Sequence, residues 1–109
     1  MSDLYARYND VEKEIDAENF DEAIAGLTGI VEEDVSFVLA HLSLARVYTK
    51  TVQHDLAIQH AEKACEVEPT DSFNFTALSV TYQLAWAGTE EQQYITKAEE
   101  AMAKAQSMG

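Results

Sequence analysis

Apolar residues in this chain recur at intervals of three and four along six successive segments, and no segment alternates apolar and polar residues long enough to build a sheet. That spacing stacks side chains on one face of a helix, so each segment reads as an amphipathic helix with one face to bury. The first predicted helix runs from about Asp3 to Asp16, with Leu4, Tyr8, Val11 and Ile15 on its stripe and Ser2 or Asp3 as its cap. The second starts near Asn19, where Asn19 and Glu22 have capping-box spacing, and carries Ala23, Ile24, Leu27, Ile30 and Val31. Gly26 and Gly29 inside it mark either close packing or early fraying. Ser36 is placed to cap a third helix from Phe37 to about Lys50. A fourth opens at Thr51 or Gln53 and ends before Pro69, which cannot continue a helix cheaply. Asp71 or Ser72 caps a fifth, carrying Phe75, Leu78, Tyr82 and Trp86 and expected to stop at a left-handed Gly88. Thr89 and Gln92 then open a sixth, with Ile95, Ala98, Met102 and Ala105 as its stripe.

Within the middle pair of helices the order Leu44, Ala45, Tyr48, Ala57, Ala64, Pro69 follows a fixed set of offsets inside a unit of about 34 residues, Val38 to Asp71. Small residues at 45, 57 and 64 let two helices approach closely, and Tyr48 fills the wedge between hairpins. This pattern resembles the tetratricopeptide repeat (TPR) family, with His41 at the tryptophan-like position and Ala61 in place of a larger aromatic. The flanking units fit less closely. In the first, Asp10 and Glu14 would be buried without a register shift; in the third, Ala98 and Ala105 take the alanine positions only with about seven extra residues around Trp86 to Gln93. The resemblance implies an all-α, α-α superhelix: a single domain over residues 1–109 with repeats at approximately 3–35, 38–71 and 72–107.

The resemblance also implies where a ligand would lie, because in this family the first helix of each repeat lines a concave face. Carried over by position, that face receives Leu39, Leu42, Arg46 and Thr49 from the second repeat and Phe73, Thr76, Val80 and Gln83 from the third. Tyr5, Tyr8 and Glu12 stand on the corresponding helix of the first. An exposed stripe holding Leu39, Leu42, Phe73 and Val80 is more apolar than solubility requires, which points to a contact surface; the alternative is that these side chains are core. One subset of the family clamps a terminal carboxylate with lysines and asparagines. Here Arg46 stands where an asparagine is expected, and Thr76 and Ala77 bring no positive charge, so the expected ligand is a protein or peptide that is apolar with a basic element.

Charge excludes other classes of partner. Seven basic residues against twenty acidic ones give a net charge of −13, and without a basic stripe neither nucleic acid nor an anionic membrane is an expected partner. An acidic surface serves solubility or steers a basic partner. The single cysteine, Cys65, has no intramolecular partner, the N-terminus lacks the pattern of a signal peptide, and the apolar runs are too short to span a bilayer, so a cytoplasmic protein is expected.

Catalytic and metal chemistry find little support. His54 and His60 are six positions apart, on different faces of one helix, and Cys65 lies five beyond His60, which is not zinc-ligand spacing. Neighbouring acids such as Glu32 with Glu33, or Glu90 with Glu91, diverge on a helix and do not converge on a substrate. No phosphate loop, nucleophile elbow or HExxH motif is present. The expectation is therefore a binding scaffold or adaptor with no enzymatic role, no cofactor and no metal. The alternative is a self-associating homo-oligomer, joined through a C-terminal helix on which Ala98, Met102 and Ala105 stay partly uncovered. Trp86 either covers the core beneath the long connection or anchors a partner.

Overall fold

A computed structural model describes residues 3–108 and contains six helices: α1 (Leu4–Asp16), α2 (Phe20–Glu33), α3 (Val38–Lys50), α4 (His54–Val67), α5 (Ser72–Thr89) and α6 (Gln92–Met108). Each helix packs on its neighbour in sequence, and α3 also touches α5 across the stack. The result is an elongated body of 41 × 29 × 19 Å, as expected of hairpins added side by side.

The hairpin turns repeat as faithfully as the helices. Glu18 between α1 and α2 and Val52 between α3 and α4 both adopt left-handed backbone, with φ of 60° and 62°. In each turn the next two amides bond back into the preceding helix: Glu18 N to Ile15 O and Asn19 N to Glu14 O, then Val52 N to Thr49 O and Gln53 N to Tyr48 O. This closes the orphan carbonyls of a helix end and aims the chain back along it. Side chains cap α1 and α5, where Asp3 accepts from Tyr5 N and Ala6 N, and Asp71 accepts from Phe73 N. The caps expected from Ser36 and from Asn19 do not form. Ser36 donates to Asp34 instead, the amide of Asn19 donates to Glu14, and α3 begins after Phe37.

Two apolar clusters form the core, and α3 feeds both. Leu44 and Val47 join Val11, Ile15, Leu27 and Ile30 on one side; Ala45 joins Ile58, Ala61, Leu78 and Tyr82 on the other. Val11 and Ile15 are buried while Asp10 is exposed and Glu14 half-buried, so the apolar stripe and not these acids faces the core. α2 stays helical through both of its glycines, and a Cβ at Gly26 would sit 2.6 Å from Val11 Cγ2, which identifies that glycine as a close-approach site.

The last hairpin departs from expectation in how it uses its extra residues. They lengthen α5 to 18 residues and α6 to 17, against 13 or 14 in the other helices, and no long connection forms. Gly88 does not end α5 and has no left-handed backbone; Glu90 takes that position with φ 59°. Gly88 serves packing instead, since a Cβ there would lie 2.5 Å from His54 Nε2. Trp86, on the added turn, is partly exposed and covers no long loop.

Candidate functional site

The first helices of the three hairpins present one continuous groove. Tyr8 comes from α1; Leu39, Leu42, Ser43, Ala45, Arg46, Thr49 and Lys50 from α3; and Phe73, Thr76, Ala77, Val80, Thr81 and Leu84 from α5. The opening measures about 530 Å³, within the range of ligand sites. Ala45 belongs to the core at the groove floor, but the larger apolar side chains stand open to water. Leu39 is 41% exposed, Phe73 62%, Val80 44% and Leu84 46%. On α5, positions 73, 77, 80 and 84 share one stripe by the three-four spacing. Of the eight residues expected on the concave face, seven line the groove and Gln83 does not. Its amide turns to Ser79 Oγ at 3.1 Å, and Leu84 lines the groove instead.

Most polar residues of the wall already have partners. Thr49, Thr76 and Thr81 each donate their hydroxyl to the carbonyl four residues back on their own helix, at 2.9, 3.2 and 2.8 Å. Such back-bonding commits the one proton of each hydroxyl and leaves it an acceptor only. Tyr8 Oη donates to Glu12 Oε1 at 2.7 Å and lies 2.9 Å from Ser43 Oγ, while Arg46 Nη2 donates to Glu12 Oε2 at 3.0 Å. Burial pushes the Tyr8 phenol above its ordinary value and the Glu12 charge adds to the shift, against opposing contributions from Ser43 and Arg46. Arg46 is thus tied to the first hairpin and helps set the groove's edge.

At the end nearer Phe73 the groove opens into a second depression of about 480 Å³, which shares Leu39, Leu42 and Phe73 and adds Asp34, Glu68, Asp71 and Asn74. At the opposite end Arg46 and Lys50 also border a third depression with Glu12, Asp16 and Glu18.

Elsewhere the structure brings together residues that sequence spacing kept apart. His41 and His60, on facing helices of the middle hairpin, stack with ring centroids 5.3 Å apart, and Tyr48 stacks on His60 at 5.8 Å. The signal for this pair is His41 in the family's aromatic slot, which faces the return helix. Among the described residues no group of three or more His, Cys, Asp or Glu is placed to hold a metal ion. Ala98 and Ala105, expected to stay partly uncovered, are 4% and 6% exposed and packed inside the last hairpin, with only Met102 half-buried. Burial of an alanine face against α5 is what the close approach of these two long helices requires. No helix among the described residues is long and apolar enough to cross a membrane.

The fold has counterparts among solved structures. A crystal structure of MamA aligns with a TM-score of 0.80 at 20% sequence identity, covering 96% of this chain and 57% of that one. A second crystal structure of MamA protein gives 0.71 at 22% identity, covering 95% and 57%. MamA MSR-1 C2 gives 0.68 at 16% identity, covering 94% and 59%. This chain therefore spans less than two thirds of the length of the proteins it resembles. No family model matches the sequence, and no curated protein matches it. The likeness establishes the stacked helical-hairpin architecture that the tetratricopeptide resemblance implied.

Proposed function

We propose that this tetratricopeptide-like stack is a non-catalytic scaffold that captures a protein or peptide segment, apolar with a basic element, in the groove walled by α1, α3 and α5. One observation carries the reading: Leu39, Phe73, Val80 and Leu84, all substantially exposed, line a single opening. Scattered apolar side chains on a surface need no explanation, but a contiguous set in a concavity favours a partner that removes them from water. Burial of such side chains contributes about 25 cal/mol per Å² before the costs of association are counted. The acidic surface supplies the complementary attraction for a basic element and speeds encounter with it.

The alternative of self-association through α6 loses most of its basis, because two of the three side chains it invoked are internal.

The test is a pull-down with wild type and with Phe73→Asp, Val80→Asp, both checked for helicity by circular dichroism. A partner retained by wild type is then purified and titrated against both. Loss of at least about tenfold in affinity, the scale expected for hot-spot side chains, supports the groove. Equal affinity of the two proteins for every retained partner refutes it.

A further inference from the structure

We infer that the groove's occupant is a short amphipathic helix of another protein, about three turns long, with a lysine or arginine at the end that lies among Asp34, Glu68 and Asp71. This rests on the groove being the binding site, as proposed above.

The chemistry of the walls decides the form of the ligand. Both walls are helices whose backbone amides and carbonyls are consumed internally, so there is no strand edge for an extended peptide to pair with. The three wall threonines have committed their hydroxyl protons to their own helices and offer no donor. An extended segment would therefore find few donors for its main-chain carbonyls, at about 1–3 kcal/mol for each group left unsatisfied. A helix satisfies its own backbone and offers a matching stripe of side chains. Phe73 and Leu84, the apolar limits on α5, are eleven positions apart, or about 17 Å along the axis at 1.5 Å per residue, the length of about three turns.

The polar end decides the charge. Asp34, Glu68 and Asp71 line it with no lysine or arginine among them. Asn74, buried at the same end, donates its amide nitrogen to the carbonyls of Ala64 and Glu68, and its Oδ1 has no partner. This is a site rich in acceptors and short of donors. Its carboxylates are not grouped to hold a metal ion among the described residues, so the matching group is an ammonium or guanidinium on an otherwise apolar segment. A second copy of this chain is disfavoured as occupant because it would bring a further net charge of −13.

The experiment uses synthetic helical peptides of about 14 residues, long enough to overhang three turns, acetylated and amidated at their ends. Each has leucines at three-four spacing in an alanine and glutamine background and a fluorescent label. One peptide carries two lysines at one end, one has glutamines there, one has glutamates, and a fourth is the lysine peptide with a central proline. Binding is read by anisotropy at low and at physiological salt. The expected order is lysine tighter than glutamine tighter than glutamate, with a lysine preference of about fivefold at low salt that shrinks with added salt. Glu68→Lys should erase that preference, and the proline peptide should bind at least about tenfold more weakly than its parent. Equal affinities for the three end charges, with Val80→Asp still abolishing binding, overturn the cationic end and leave the groove standing. A proline peptide that binds as well as its parent overturns the helical form. Binding that is insensitive to Val80→Asp, or absent for every peptide, removes the groove itself. A dimer dissociated by the neutral peptide would give the groove to a second copy and overturn this inference.

Discussion

His41 Nδ1 lies 3.0 Å from His60 Nδ1, and His41 Nε2 lies 2.7 Å from the carbonyl oxygen of Val35. A carbonyl can only accept, so His41 carries a proton on Nε2, and with both rings neutral its Nδ1 accepts from the Nδ1–H of His60. Burial pushes both below the ordinary histidine value; at His41 the bond to Val35 opposes the shift and the Lys63 charge adds to it, and at His60 electrostatic repulsion from His41 adds. A base whose folded pKa lies below its unfolded one binds fewer protons when folded. Its contribution to stability is therefore complete above the unfolded value of about 6.5 and declines as pH falls below it towards the depressed folded values. We expect the thermal midpoint of wild type to drop more steeply between about pH 7.5 and about pH 5.5 than that of His41→Gln, His60→Gln. Parallel profiles would show that the pair does not titrate with unfolding.

The two glycines of α2 should respond to alanine with opposite signs. At Gly26 the new Cβ meets Val11 Cγ2 at 2.6 Å, on a short buried side chain with nowhere to go. Overpacking of this kind costs about 1–3 kcal/mol and exceeds the gain of up to about 1 kcal/mol in helix propensity. At Gly29 the nearest atom is Arg7 Nη2 at 3.3 Å, the far end of a flexible side chain that also pairs with Glu33. Urea unfolding should show Gly26→Ala lowering stability and Gly29→Ala raising it by about 0.5–1 kcal/mol.

Val52 holds left-handed backbone at φ 62° while mostly exposed, a conformation disfavoured for a β-branched residue. Relief of that strain exceeds the extra chain entropy of glycine. Val52→Gly should stabilise the protein by about 1 kcal/mol, read as a higher midpoint in the same unfolding experiment.

Fold and binding should separate by mutation. Leu44 is fully buried in the first cluster, and Leu44→Ala should cost about 2–5 kcal/mol. Val80 faces the groove and water, so Val80→Asp should change stability by no more than about 0.5 kcal/mol while removing peptide binding. Equal destabilisation by the two would mean that Val80 belongs to the core.

Cys65 is buried against α5, and burial pushes its thiol up to about 11, with the Glu62 charge adding to the shift. Because the thiolate is the reactive form, iodoacetamide at about pH 8 should leave the native protein unmodified and alkylate it fully in denaturant. Mass spectrometry reads both states.

The helical hairpins were legible in the sequence from local spacing, and most of the groove from the family resemblance together with that spacing. The three-four recurrence places Leu39, Leu42, Arg46 and Thr49 on one stripe whatever the neighbours do, and the offsets from Leu44 to Pro69 mark where two helices turn back on each other. What tertiary structure alone decided are relations across helices. The choice of Leu84 over Gln83 on the groove wall, the enclosure of Ala98 and Ala105, and the meeting of His41 with His60 all depend on how one helix is rotated and slid against the next. The same holds for Gly88, whose role is the approach of His54 while Glu90 turns the chain. Periodicity states which residues share a face of a helix; packing of ridges into grooves, with its own rotation and offset, states what that face meets.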